Sequence, residues 1–222
     1  MAKVINKHNL SIDDFHNAEI VGPEIDNPIG KKQKKGQRKA ALTASMDACT
    51  INGYVCEFGV YSGMSLEKIS AVFNAQPVYG FDSFEGLPEE WLMNAQGGGW
   101  GKSEFALNAL PAVRDNTVLV KGWFDQSLPS WIQHHQGPMK FINIDCDLYS
   151  STKTVLTLLN SQIVSGTVIQ FDELYCWGNP SDYEYWEDHE YKALKEWLEE
   201  FDREIEILHR SRYFQAAIKI IK

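Results

Sequence analysis

Beyond Asn52-Gly53 the chain alternates short apolar runs with stretches of helical spacing. Tyr54–Gly59 reads as a strand entering a tight turn, and Pro77–Asp82, Thr117–Gly122, Met139–Asp145 and Gly166–Asp172 read as four more. Each is a short, largely apolar run, as expected of strands covered on both faces. Helices are predicted over Ser65–Asn74, Ser103–Leu110, Ser151–Asn160 and His189–Phe201, the last with Leu194, Trp197, Leu198 and Phe201 on one face. Residues 39–49 also have helical composition, and Gln96–Gly101 forms a glycine-rich loop. Glu204–Leu208 and Phe214–Ile220 close the chain as strands. Their link, Arg210-Ser211-Arg212, is too short for a crossover helix, so they must be antiparallel neighbours.

Alternating strands and helices predict an α/β fold, a doubly wound and mostly parallel sheet with helices on both faces. Seven strands ending in an antiparallel hairpin are the layout of class I methyltransferases, whose core is Rossmann-like. Residues 39–222 are predicted to form that domain. Residues 1–38 are predicted to be an appendage or lid, polar and marked by turns at Gly22-Pro23 and Pro28-Ile29-Gly30.

Composition narrows the function. The four cysteines, Cys49, Cys56, Cys146 and Cys176, form no C-x-x-C pair, which leaves zinc knuckles and dithiol redox motifs without support. Cys56 and Cys146 sit in apolar strand patterns and are expected to be free thiols in a reducing, cytoplasmic setting. No apolar run reaches about 18 residues, and Met1–Asn6 lacks the apolar stretch of a signal peptide. A net charge of −9 argues against nucleic acid or an anionic membrane as partner. One segment runs against this charge: residues 31–39 carry six cations in nine positions. A solvated, mobile loop is the plainer expectation. A clamp for a phosphate-bearing substrate, or a lid over a cofactor, is the sharper one.

Ligands of open parallel sheets bind beyond the carboxyl ends of the strands. The first end reads Glu57-Phe58-Gly59-Val60-Tyr61-Ser62-Gly63-Met64-Ser65. Its glycines allow a sharp turn and a close ligand, but Tyr61 replaces the second glycine of a pyrophosphate cradle. Glu57 would repel a pyrophosphate and suit a cationic sulfonium amino acid. At the second end, Asp82-Ser83 lies 25 residues after Glu57 and offers a bidentate acceptor for ribose hydroxyls. Gly122 and Trp123 close the third end, where Trp123 or Phe124 could flank an adenine. The fourth and fifth ends carry Asp145, Asp147, Asp172 and Glu173. Like charges about 4 Å apart repel by roughly 4 kcal/mol at an effective dielectric of about 20. Some of these acids must therefore be protonated or point apart, or a cation must sit among them. Oxygen donors alone suit Mg²⁺, Mn²⁺ or Ca²⁺. The competing structural reading has Asp147 capping the next helix and Glu173 facing solvent.

Together, Glu57-Phe58-Gly59-Val60-x-x-Gly63-x-Ser65, Gly80–Pro88, Gly122-Trp123-Phe124 and Ile144-Asp145-x-Asp147-Leu148-Tyr149-x-Ser151-Thr152 resemble the macrocin O-methyltransferase family over about residues 40–202. The resemblance implies an O-methyltransferase using S-adenosylmethionine and a divalent metal, usually Mg²⁺, on a hydroxyl of a sugar or glycoside. It implies a metal held by Asp145, Asp172 and Glu173, with Asp147 as general base; Glu173 stands where the family usually has a second aspartate. Glu57, Gly59, Tyr61, Ser62, Gly63, Ser65, Asp82, Ser83, Gly122, Trp123 and Asp145 are assigned to the cofactor. Cys176–Pro180 and Asp182–Trp186 depart from the family and are expected to shape the acceptor pocket, and a homo-oligomer is left open. His134, His135 and His189 are further candidate bases. A noncatalytic binder of the same fold and an NAD-dependent oxidoreductase are the competing readings; Tyr61 and the terminal hairpin weigh against the second.

Overall fold

The computed structural model describes residues 4–6, 10–26 and 29–222. The leader reading of Met1–Lys3 and the turn signal at Pro28 lie outside the described residues.

A short N-terminal segment, β1 (Val4–Asn6), α1 (Ile12–His16) and β2 (Glu19–Ile20), precedes a long helix, α2 (Lys31–Asp47). Then come β3 (Tyr54–Phe58), α3 (Met64–Val72), β4 (Val78–Asp82), the small pair β5 (Trp91–Leu92) and β6 (Gly99–Trp100), and β7 (Thr117–Lys121). The second half runs α4 (Phe124–His134), β8 (Met139–Ile144), α5 (Tyr149–Leu158), β9 (Val168–Phe171), α6 (Glu190–Glu200), β10 (Glu204–Arg210) and β11 (Ala216–Ile220). The main sheet is ordered β1-β10-β11-β9-β8-β3-β4-β7. Strands β9, β8, β3, β4 and β7 are mutually parallel, and β11 is antiparallel to both β9 and β10. The expected seven strands are all present. β1 and β2 add to the far edge on β10, making nine.

Period-two alternation divides the core between the two faces. Cys56, Phe58, Ile142, Ile144, Ile169 and Phe171 pack with Leu128 and Trp131 of α4, Val155 and Leu156 of α5, and Leu194 and Trp197 of α6. Val55, Phe141 and Val168 point the other way, against Leu42 and Met46 of α2 and Leu66 and Ile69 of α3. That second face also carries a polar row, because Glu57, Asn143 and Gln170 are register partners across three strands.

Three expectations need correction. The basic run 31–39 is the first half of α2 rather than a loop. Lysine and arginine are good helix formers, and buried Gln37 fixes this half of the helix: its side chain donates to the Pro23 carbonyl at 2.6 Å and accepts from the Arg212 amide at 2.9 Å. The expected boundary at residue 38 thus falls inside an unbroken helix. Ser103–Leu110 is not helical, since Ser103 and Phe105 both take φ of +68°. Helix α4 has no counterpart among the expected helices, and it carries His134 in its last turn.

Candidate active site

The chain leaves β3 for one side of the sheet and returns at β8 for the other, so the carboxyl ends of these two strands flank the switch point. A cavity of about 1130 Å³ opens there. That volume exceeds an ordinary small-ligand pocket and admits two ligands side by side. Gly59, at φ +91°, lets the chain turn directly against the end of β8: a Cβ there would overlap the carbonyl of Asp145. The turn is held from β4. Asp82 Oδ2 accepts from the amides of Val60 and Tyr61, both at 2.8 Å, and Oδ1 accepts from the Phe84 amide at 2.7 Å. Oδ2 is filled by its two amides, while Oδ1 keeps one lone-pair site, so Asp82 both organises the glycine turn and lines the site.

Four acids meet at the ends of β8 and β9, and a cation does sit among them. Arg38 Nη2 contacts Glu173 Oε1 at 2.7 Å, Asp145 Oδ1 at 3.6 Å, and Asp172 Oδ2. The three carboxylates assigned to a metal thus converge on one positive nitrogen. Burial opposes the Arg38 charge, but the acids outweigh it and push its pKa well up. One guanidinium does not balance the site. Burial first, then mutual repulsion, raises the pKa of Asp145, Glu173 and Glu190 well above the carboxylate range, and that of Asp147 to about 7. Oxygens of Asp145, Asp147 and Glu173 all lie within 4.8 Å of one another, and Glu173 Oε2 is buried with no hydrogen-bond partner. An all-oxygen donor set with excess negative charge and an orphaned oxygen fits a hard divalent cation.

Asp147 is held in a tight turn, where the Leu148 amide donates to the Cys146 carbonyl at 2.6 Å and Asp147 takes φ of +65°. Such a three-residue turn is strained for a residue with a side chain. The turn aims Asp147 into the cavity. The structure excludes both bland readings of these acids. No side chain caps α5 at its N-cap, Leu148, and Glu173 is buried.

The chain matches the family described as macrocin O-methyltransferase (TylF) over residues 26–205. It belongs to the macrocin O-methyltransferase family. This makes it an S-adenosylmethionine-dependent O-methyltransferase. No curated protein matches it in sequence. Its fold is similar to that of the calicheamicin methyltransferase CalS11, with a TM-score of 0.60 and 20% identity over 86% of this chain and 80% of that one. It is also similar to the O-methyltransferase NovP, with a TM-score of 0.57 and 21% identity over 87% and 81% of the two chains. An apo structure of CalS11, named there as a TDP-rhamnose 3'-O-methyltransferase, gives a TM-score of 0.55 at 21% identity over 86% and 81%.

In this macrocin-family methyltransferase most of the predicted site residues surround one cavity. Gly59, Tyr61, Ser62, Ser65, Asp82, Ser83, Gly122, Trp123, Asp145, Asp147 and Glu173 line it. Three do not. Gly63 is the left-handed N-cap of α3, and Asp172 lies just beneath the lining in contact with Arg38. Glu57 is fully buried on the α2 side of the sheet, where Asn143 Nδ2 donates to its Oε1 at 2.9 Å. It lies beneath the floor of the site and does not line the cavity, because the strand alternation that buries Val55 carries Glu57 to the same face. The histidines also stay outside: His135 stacks on Trp131, and His189 pairs with the Leu92 carbonyl at 3.0 Å. The divergent 176–186 segment contributes Ser181 and Asp182 to the wall beside Trp91 and Tyr213. Arg38 and Glu190 were missed. Glu190, whose Oε2 accepts from the Glu173 amide at 3.1 Å, had a signal: it precedes Leu194 by four residues and Trp197 by seven, which puts an acid on the apolar face of a helix.

Proposed function

We propose that the chain transfers the methyl group of S-adenosylmethionine to a hydroxyl of a sugar or glycoside, with a divalent cation at the acid cluster. The observation that carries this reading is the meeting of Asp145, Asp172 and Glu173 on the single nitrogen Arg38 Nη2. Those three residues would hold the ion, and bound there it would supply the charge that lowers the pKa of the acceptor hydroxyl. The turn at Gly59 and the acid Asp82 orient the cofactor beside them. The hydroxyl oxygen attacks the methyl carbon, the carbon–sulfur bond breaks, and sulfur keeps the electron pair as a neutral thioether. Asp147 accepts the hydroxyl proton. Holding both partners in line removes roughly 7–11 kcal/mol of the barrier. The sugar named in the CalS11 structure agrees with this acceptor class.

Asp147→Asn tests the assignment. Turnover is expected to fall by about 10²–10⁴-fold, the usual contribution of a general base, while calorimetry finds S-adenosylmethionine affinity within about twofold of wild type. A variant that turns over at the wild-type rate removes Asp147 as the base.

A further inference from the structure

The cavity has a second pole. Lys31, Lys34, Lys35 and Arg38 stand at positions i, i+3, i+4 and i+7 of α2 and so share one helix face. All four line the cavity, together with Lys68 from α3. Arg38 is committed to the acids, but the lysines are not. Among the described residues Lys31, Lys35 and Lys68 form no ion pair, and Lys34 rests over the Tyr213 ring, 4.6 Å from its centre. In a chain of net charge −9, four lysines face one space, and none is paired with the acids at the cavity's other pole. Burial, and then the charges of Arg38, Lys35 and Lys39, lower the pKa of Lys68, in keeping with that crowding.

We infer that Lys31, Lys34, Lys35 and Lys68 form a phosphate-binding subsite, and that the acceptor is a nucleoside-diphosphate sugar. The inference rests on the methyl-transfer reading and names its acceptor. The cofactor's own carboxylate is a single charge and leaves most of this cationic surface unmatched, whereas a diphosphate engages several lysines as point charges. Spacing agrees. An α-helix rises about 5.4 Å per turn, so Lys34 and Lys35 lie one turn from Arg38 and the acids, and Lys31 two turns. A sugar hydroxyl at Asp147 thereby leaves the phosphates on the anomeric carbon within reach of the lysines.

The test uses the full chain saturated with S-adenosylhomocysteine in metal-free buffer, with uridine diphosphate as the probe and uridine as its control. Calorimetry is expected to give saturable binding of the diphosphate, at least tenfold weaker for uridine. The double variant Lys31→Gln/Lys35→Gln, and separately Lys68→Gln, should each weaken it at least tenfold. Affinity for S-adenosylhomocysteine should change less than twofold in both. Absence of diphosphate binding by the wild type, or equal binding by the variants, overturns the subsite. A parallel loss of S-adenosylhomocysteine affinity also overturns it, by assigning the lysines to the cofactor. Failure of the wild type to bind S-adenosylhomocysteine at all would instead strike the methyl-transfer reading.

Discussion

Glu57 sits at the foot of the site with a pKa pushed up to about 8, because burial outweighs its hydrogen bonds from Ser65 and Asn143. A raised acid pKa means the folded state holds the proton more tightly than the unfolded state. The associated stability is fully present below the unfolded value of about 4.5 and is lost as pH rises through about 8. Melting temperature should therefore decline between about pH 5 and pH 9, and Glu57→Gln should flatten that decline. Asp145, Asp147, Glu173 and Glu190 contribute with the same sign, so the slope is reduced, not abolished. A Glu57→Gln slope identical to wild type would mean Glu57 is ionised throughout. Gly59 is constrained by space and by φ. Gly59→Ala forces a Cβ onto the Asp145 carbonyl at φ +91° and should cost at least about 3 kcal/mol in denaturant unfolding. A loss under about 1 kcal/mol would show that the turn can relax. Glu57 also marks what sequence could and could not tell. Its place at a strand end was legible, but its direction depended on which face Val55 buries, and only the packed sheet decides that.

At the scale of elements, α2 decides the electrostatics. Its basic residues were visible in the sequence, but their folding into a helix over the ends of β8 and β9 was not. Arg38 and Glu173 are 135 positions apart, and no local pattern links them. The strand-end acids were legible for the opposite reason, since parallel strands deliver every carboxyl end to one rim. Arg38 occupies the position where three carboxylates meet, so the proposed cation would have to displace it. Arg38→Gln should lower the melting temperature in chelator by a few degrees, on the order of 1–3 kcal/mol for a half-exposed guanidinium among buried acids. Added Mg²⁺ should then raise the melting temperature of the variant more than that of the wild type. An equal Mg²⁺ response in both proteins would mean that the guanidinium and the ion do not share these oxygens. Helix α4 escaped notice because Pro129 interrupts its pattern and only Leu128 and Trp131 of its residues are buried.

The molecule as a whole separates charge along one cavity, with acids at the sheet rim and lysines along α2 and α3. Each strand end is individually ambiguous; their convergence on a space of about 1130 Å³ is not. Among the described residues no helix is long and apolar enough to cross a membrane. The proposed mechanism needs the acids free to bind a cation while the cofactor is in place. Titration of Mn²⁺ into the protein saturated with S-adenosylhomocysteine, read by electron paramagnetic resonance, measures this directly. One ion per chain is expected, with affinity at least tenfold weaker in Asp172→Asn and stronger in Arg38→Gln. No stoichiometric ion in the wild type, or an Asp172→Asn variant that binds Mn²⁺ as the wild type does, would contradict the cation site.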